Sequence, residues 1–163
     1  MITVGILTMS DKGSKGERED LSGKEIERMV KDLPAEVKSY EIIPDEVSII
    51  TRKLIEYADE KKLDLIVTTG GTGVSPRDVT PEATKAVIER ELPGMAEAMR
   101  FESLKKTPNA MISRAVCGIR KQSLIINLPG SPKAVRENLA ILLPAINHAI
   151  EKIKGSTAEC GTT

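Results

Sequence analysis

Aromatic residues are almost absent from this sequence: Tyr40, Tyr57 and Phe101 are the whole set, and there is no tryptophan. Single-stranded nucleic acids are held on stacked aromatics along a basic groove. Neither ingredient is here, because Lys plus Arg equals Asp plus Glu at 24 each, leaving no basic field to follow a phosphate backbone. Nucleic acid is not an expected partner. Cysteines number only two, Cys117 in the apolar stretch 115–119 and Cys160 in a polar tail. A disulfide between them would tether a chain end and stabilise little, and two cysteines make no secreted framework. Long apolar runs are missing as well. The stretch 139–150 is interrupted by Pro144, Asn147 and His148, and a bilayer span takes about 20 apolar residues. Residues 1–7 have no basic n-region and too short an apolar run for a signal peptide. The expectation is a cytoplasmic protein with no membrane contact.

The single histidine, His148, lies far along the chain from any glycine-rich loop, and Cys117 reads as a small core residue. With no imidazole base and no thiol nucleophile, triad chemistry is unexpected. Transfer of a phosphoryl or nucleotidyl group to an anionic acceptor needs neither. It needs positioning, a metal and cationic clamps. Arg77, Arg114, Arg120, Lys121 and Lys133 are the candidate cations.

What is present is a regular alternation. At 163 residues, 40% hydrophobic and 29% charged, the chain suits one globular domain, taken as 1–154 with a disordered tail over 155–163. Strands are expected at 2–8, 36–43 and 63–69, with a hairpin over 113–128 turning at Lys121-Gln122. Residues 10–16 read as loop. Helices are expected at 20–33, with Asp20 or Ser22 as N-cap, and at 46–61. Another starts at Thr80-Pro81, with the Thr80 hydroxyl as cap and the proline in the first turn. Further helices run from Pro93 to about Lys105 and from Ser131 onward, where Pro144 either kinks the helix or restarts it. The fold class is therefore α/β in three layers: a mostly parallel sheet, helices on both faces, and an antiparallel edge hairpin. Ligands of such sheets bind at the carboxyl ends of the strands. That rule gathers loops 8–16, 69–80 and 127–133 into one site.

Gly70, Gly71 and Gly73 follow a strand buried on both faces, and glycines there permit positive φ and close backbone approach to an anion. The loop is neither a Walker A loop, lacking Lys-Ser/Thr, nor a dinucleotide fingerprint, having Pro76 where the third glycine belongs. A plain tight turn is the competing reading. Asp45 has two readings too, helix cap or functional carboxylate. Asp78 is less easily a cap, since Thr80 takes that role. Two carboxylates at neighbouring strand ends would suit Mg²⁺, which takes oxygen ligands and keeps phosphate and water in its shell.

The segments Thr8-Met9-Ser10-Asp11-Lys12-Gly13-Ser14, Ile43-Pro44-Asp45-Glu46, Thr68-Thr69-Gly70-Gly71-Thr72-Gly73 and Arg77-Asp78-Val79-Thr80-Pro81-Glu82-Ala83-Thr84 stand in order along the chain. They are followed by Pro93-Gly94-Met95, Ser113-Arg114, Ile119-Arg120-Lys121-Gln122 and Asn127-Leu128-Pro129-Gly130-Ser131-Pro132-Lys133. This collinear set, over about residues 3–153, closely resembles the molybdopterin adenylyltransferase family of the MogA/MoaB type. The resemblance implies the molybdenum-cofactor-binding-like fold, with ATP and molybdopterin as substrates, Mg²⁺ as cofactor, and adenylyl-molybdopterin plus pyrophosphate as products. It implies a molybdenum insertase as partner and a homotrimer, or a hexamer in one branch. Asp45 and Asp78 match the family's two functional aspartates, as catalytic residues and metal ligands. Ser10, Asp11, Gly70, Gly71, Thr72, Gly73, Thr80, Ser113, Arg114, Asn127, Pro129 and Gly130 fall in its substrate-binding positions. Ser131 and Lys133 sit where a helix N-terminus would hold the pterin phosphate. Two rival readings share the fold. One is a pterin-binding scaffold without catalysis. The other is a hydrolase of pyridine nucleotides or ADP-ribose, of the competence-damage type.

Overall fold

A computed structural model describes residues 1–157. Its elements are β1 (Ile2–Met9), α1 (Asp11–Ser14), α2 (Leu21–Met29), β2 (Ala35–Ile43), α3 (Val47–Ile55), β3 (Leu65–Thr69) and α4 (Thr80–Val87), followed by β4 (Arg90–Glu91), α5 (Pro93–Leu104), β5 (Cys117–Arg120), β6 (Ser123–Leu128) and α6 (Pro132–Ile153). The six strands form one sheet in the order β2-β1-β3-β6-β5-β4. The first four in that order run parallel, β5 is antiparallel to β6, and β4 is antiparallel to β5.

The strand residues explain the layers. In β3 and β6 every residue is buried, so successive side chains feed opposite faces. Leu65, Val67, Leu124 and Ile126 meet Ile26, Met29, Leu139, Leu142 and Ile146 from α2 and α6, with Met99 of α5 alongside. Ile66 and Ile125 meet Ile50, Leu54, Ala83 and Val87 from α3 and α4 on the other face. Each such aliphatic side chain stabilises by about 1.5–3 kcal/mol when fully buried. Helices on both faces and an antiparallel edge agree with the sequence reading.

Several local expectations change. Residues 11–14 are a short helix rather than loop, because the Ser10 hydroxyl accepts the Gly13 amide at 2.9 Å. Helix 20–33 ends earlier, at Met29, and continues as a 3₁₀ turn over Val30–Asp32. Helix 46–61 ends as a π turn over Glu56–Glu60. The α2 cap is Asp20, which accepts the Gly23 amide at 2.9 Å. Pro144 neither breaks nor restarts α6. Pro144 and Ala140 are both exposed, so the hydrogen bond the proline forfeits lies on the solvent face. Strand β4 has two exposed charged residues and no sequence period to betray it. The expected disordered tail lies for the most part outside the described residues.

Candidate active site

Strand order 2-1-3 reverses direction between β1 and β3, which opens a crevice at their carboxyl ends. Loops leaving β1, β2, β3 and β6 close around it. The result is two clefts that share Gly71, Asp78 and Gly130 as a common rim. The larger, about 790 Å³, is lined by Ser10, Asp11, Asp45, Gly70, Arg77 and Ser131 among others. The smaller, about 400 Å³, takes Thr72, Gly73 and Ser113 with Arg100, Ser103 and Asn138 from α5 and α6.

Backbone geometry forms the rim. Gly70 and Gly71 have φ of +94° and +68°, the left-handed region that side chains disfavour. A methyl group on Gly70 would strike the Met9 carbonyl, and one on Gly71 would strike the Thr80 hydroxyl and lie 3.0 Å from Asp45 Oδ1. Gly73 lies outside that region, so positive φ is not its constraint. There the obstacle is Asp78, whose Oδ2 would lie 2.8 Å from an added Cβ.

Of the two readings of Asp45, the helix cap fails. The cap position of α3 belongs to Glu46 and has no side-chain hydrogen bond. Asp45 Oδ2 instead accepts the Asp11 amide at 3.0 Å, and Asp11 Oδ1 accepts the Asp45 amide at 3.0 Å. The two loops are thus laced together. Burial pushes the Asp45 carboxyl above the usual range, the Asp11 amide pulls it back, and the negative charges of Asp11 and Asp78 add to the rise. Asp11 is held below the usual range by hydrogen bonds from Arg77, both at 3.0 Å, and by the Asp45 amide. Asp78 Oδ2 accepts the Ser75 amide at 3.0 Å. Among the described residues, no hydrogen bond to the protein engages the other oxygen of Asp45 or of Asp78.

Other expected site residues turn out to hold loops. Thr80 is fully buried and donates to the Gly70 carbonyl at 2.9 Å, while the α4 cap is Val79 with no side-chain bond. The hydroxyl cap expected of Thr80 is therefore corrected. Asn127 is fully buried: its Oδ1 accepts the Val116 amide, and its amide nitrogen donates to Thr68 and Thr84, each contact 3.0–3.1 Å. Its side chain faces the fold, not a cleft. The Pro129 carbonyl accepts the Thr69 hydroxyl at 2.6 Å. Ser131 caps α6 through the Ala134 amide at 3.1 Å, and Gly130 and Ser131 bring that helix N-terminus to the larger cleft. Lys133, exposed, lines neither cleft. Arg120 and Lys121 lie at the opposite end of the sheet, paired with Asp59, so these two candidate clamps are remote. Cys117 is buried, its thiol pushed up to about 12 by burial. Sequence reasoning missed Arg100, Ser103 and Asn138, which reach the smaller cleft from helix positions that only packing brings together.

No group of three or more metal-binding side chains exists among the described residues. Two half-buried carboxylates that repel each other beside a cleft of about 790 Å³ nevertheless suit Mg²⁺, which is typically held by one or two carboxylates plus substrate phosphates.

Against known proteins, residues 5–148 match the family described as a probable molybdopterin binding domain. A molybdopterin adenylyltransferase of Helicobacter pylori J99 is 50% identical over 158 residues, covering 95% of this chain and 89% of that protein. Gephyrin of Dictyostelium discoideum is 46% identical over 157 residues, 90% of this chain but 22% of that longer protein. The crystal structure of the molybdopterin biosynthesis enzyme MoaB from Thermus thermophilus superposes with a TM-score of 0.91 at 51% identity, covering 96% of this chain and 98% of that one. With its fold, its glycine loop and nearly its whole length matched, this chain belongs to the molybdopterin-binding domain family.

Proposed function

We propose that this protein is a molybdopterin adenylyltransferase, transferring AMP from ATP to the terminal phosphate of molybdopterin. The observation that carries this reading is the convergence of Asp45 and Asp78 on the larger cleft, with Asp78 also on the rim it shares with the smaller one. Relatives about half identical to it bear that enzyme's name. A phosphate monoester is largely dianionic near pH 7, its second pKa being about 6. Its oxygen forms the new bond to the α-phosphorus of ATP, the bond to the β-phosphate oxygen breaks, and pyrophosphate leaves with that electron pair. No general base is required, in keeping with a site that has no histidine.

The chain's own groups supply positioning and charge. Gly70 and Gly71 let the backbone approach an anion closely. The α6 N-terminus presents amides beside the larger cleft. Asp45 and Asp78 would hold Mg²⁺, which when bound offsets phosphate charge. Arg77, tied to Asp11 by two hydrogen bonds, holds the β1 loop at the mouth of the larger cleft. The protein acts in the cytoplasm as a trimer or hexamer, and a molybdenum insertase consumes the product.

Incubation with Mg²⁺, ATP and molybdopterin tests the proposal, with mass spectrometry reading adenylyl-molybdopterin and pyrophosphate release. Binding of molybdopterin without product would favour the scaffold reading. Hydrolysis of a pyridine nucleotide or ADP-ribose in place of adenylylation would favour the hydrolase.

A further inference from the structure

Residues 74–77 are exposed, yet Asp78 at the end of this excursion must be placed with catalytic accuracy. The segment is closed at its base by the Thr80 amide on the Gly71 carbonyl at 3.1 Å, and internally by the Asp78 amide on the Ser75 carbonyl at 2.9 Å. Neither bond ties the two ends of 73–78 to each other. Arg114 does. Its Nε donates to the Gly73 carbonyl and its Nη2 to the Asp78 carbonyl, each at 2.7 Å. The Arg114 amide also donates to the Thr72 carbonyl at 2.8 Å. Its third nitrogen, Nη1, donates to Glu82 in the first turn of α4.

We propose that Arg114 is a positioning residue for Asp78, acting through the loop backbone and not as a contact to substrate phosphate. This rests on the adenylyltransferase reading. Three acceptors in fixed, separated directions match a guanidinium fork, and an ammonium cannot reach all three. Glu82 offsets the positive charge that a phosphate ligand would call upon, and its own carboxyl is held below the usual range by Arg114. The Asp78 carboxylate in turn lies over Gly73, so any drift in the Gly73–Asp78 span moves the carboxylate with it.

The test compares Arg114→Lys and Glu82→Gln with the wild type. Arg114→Lys should lower kcat about a hundredfold, as expected for a misplaced catalytic group. Dissociation constants for ATP with Mg²⁺ and for molybdopterin should stay within about twofold, a change too small to reflect a lost charged contact. Glu82→Gln, which leaves Arg114 in place but unsupported, should lower kcat by about threefold with both affinities unchanged. Amide hydrogen exchange across 73–78, measured without substrates, should accelerate in both variants. A tenfold weakening of either affinity with kcat retained would make Arg114 a ligand contact and overturn the proposal. Unchanged kcat in Arg114→Lys, or unchanged exchange, would overturn it too. Should Arg114→Lys fail to fold, Glu82→Gln decides alone, and wild-type kcat with it refutes the role. Absence of product from the wild type would refute the adenylyltransferase reading, while the exchange measurement would still judge the clamp.

Discussion

Asp45 illustrates how one residue's chemistry can be separated from its structural duty. Its Oδ2 accepts the Asp11 amide, and asparagine can accept the same bond through its amide oxygen. Burial disfavours the charged form, so Asp45→Asn removes a folding penalty and the thermal midpoint should stay level or rise by a few degrees. Turnover should nevertheless fall at least about a hundredfold, because a neutral amide is a poorer partner for Mg²⁺ than a carboxylate. Calorimetry and a turnover assay on the same preparation check both halves, and normal adenylylation at low Mg²⁺ would place the metal on Asp78 alone. Gly71 is the complementary case. A methyl group there meets the Thr80 hydroxyl and approaches Asp45, at a backbone angle that side chains disfavour. Gly71→Ala should weaken nucleotide or pterin binding at least tenfold, about 1.4 kcal/mol. Titration calorimetry giving unchanged affinity would reduce the loop to a turn.

At the scale of elements, the sheet's far end is tied by charge. Arg120 at the end of β5 donates to both oxygens of Asp59, at 2.9 and 2.7 Å, and to the Val87 carbonyl at the end of α4. The side chains of this pair are 20% and 17% exposed, so solvent screens them only in part. Arg120 holds the Asp59 carboxyl below the usual range. A depressed acid contributes stability above its unfolded value, about 3.9, and loses it as pH falls through the lower folded value. Asp59→Asn should therefore cost about 1–2 kcal/mol at pH 7, or roughly 2–6 °C for a chain of this length. The difference from wild type should begin to narrow as pH drops below about 4, and close only once pH has fallen through the lower folded value, where both proteins carry a neutral side chain at position 59. Melting curves across pH would expose a gap that persists at the acid end, and such a gap would mean that shape, not charge, makes the tie.

For the molecule as a whole, Asp64 joins distant parts of the chain: it accepts from the Thr3 amide at 2.9 Å and from the Thr3 hydroxyl at 3.1 Å, and it pairs with Lys154 at 2.6 Å. Burial raises its carboxyl, but Lys154 and the two Thr3 bonds outweigh that and hold it low. Lys154→Ala should lower the thermal midpoint by about 2–5 °C at neutral pH, by leaving a nearly buried carboxylate without its cation. A scanning-calorimetry trace indistinguishable from wild type would show that water replaces the ammonium. The layered architecture was legible in the sequence, because the Leu65-Ile66-Val67 run reads as a strand buried on both faces and the helices carry apolar faces at helical spacing. The glycine loop and both aspartates were legible for a local reason, since positive φ, turns and carboxylates are properties of residue type. Sequence could not assign hydrogen bonds between residues dozens of positions apart. Asp45 looked like a cap because its neighbours in the chain make one, and Thr80 looked like a cap for the same reason. The partner of Asp45, the Asp11 amide, comes from another strand's loop, and that of Thr80, the Gly70 carbonyl, from the far end of its own loop. Nor could sequence distinguish Arg114, folded back onto the loop of Asp78, from Arg120 at the opposite end of the sheet. Residue types and periodicity determined the layers and the chemistry available. Tertiary structure decided which side chains face a cleft and which hold it open, because that depends on the register and order of strands that meet only after folding.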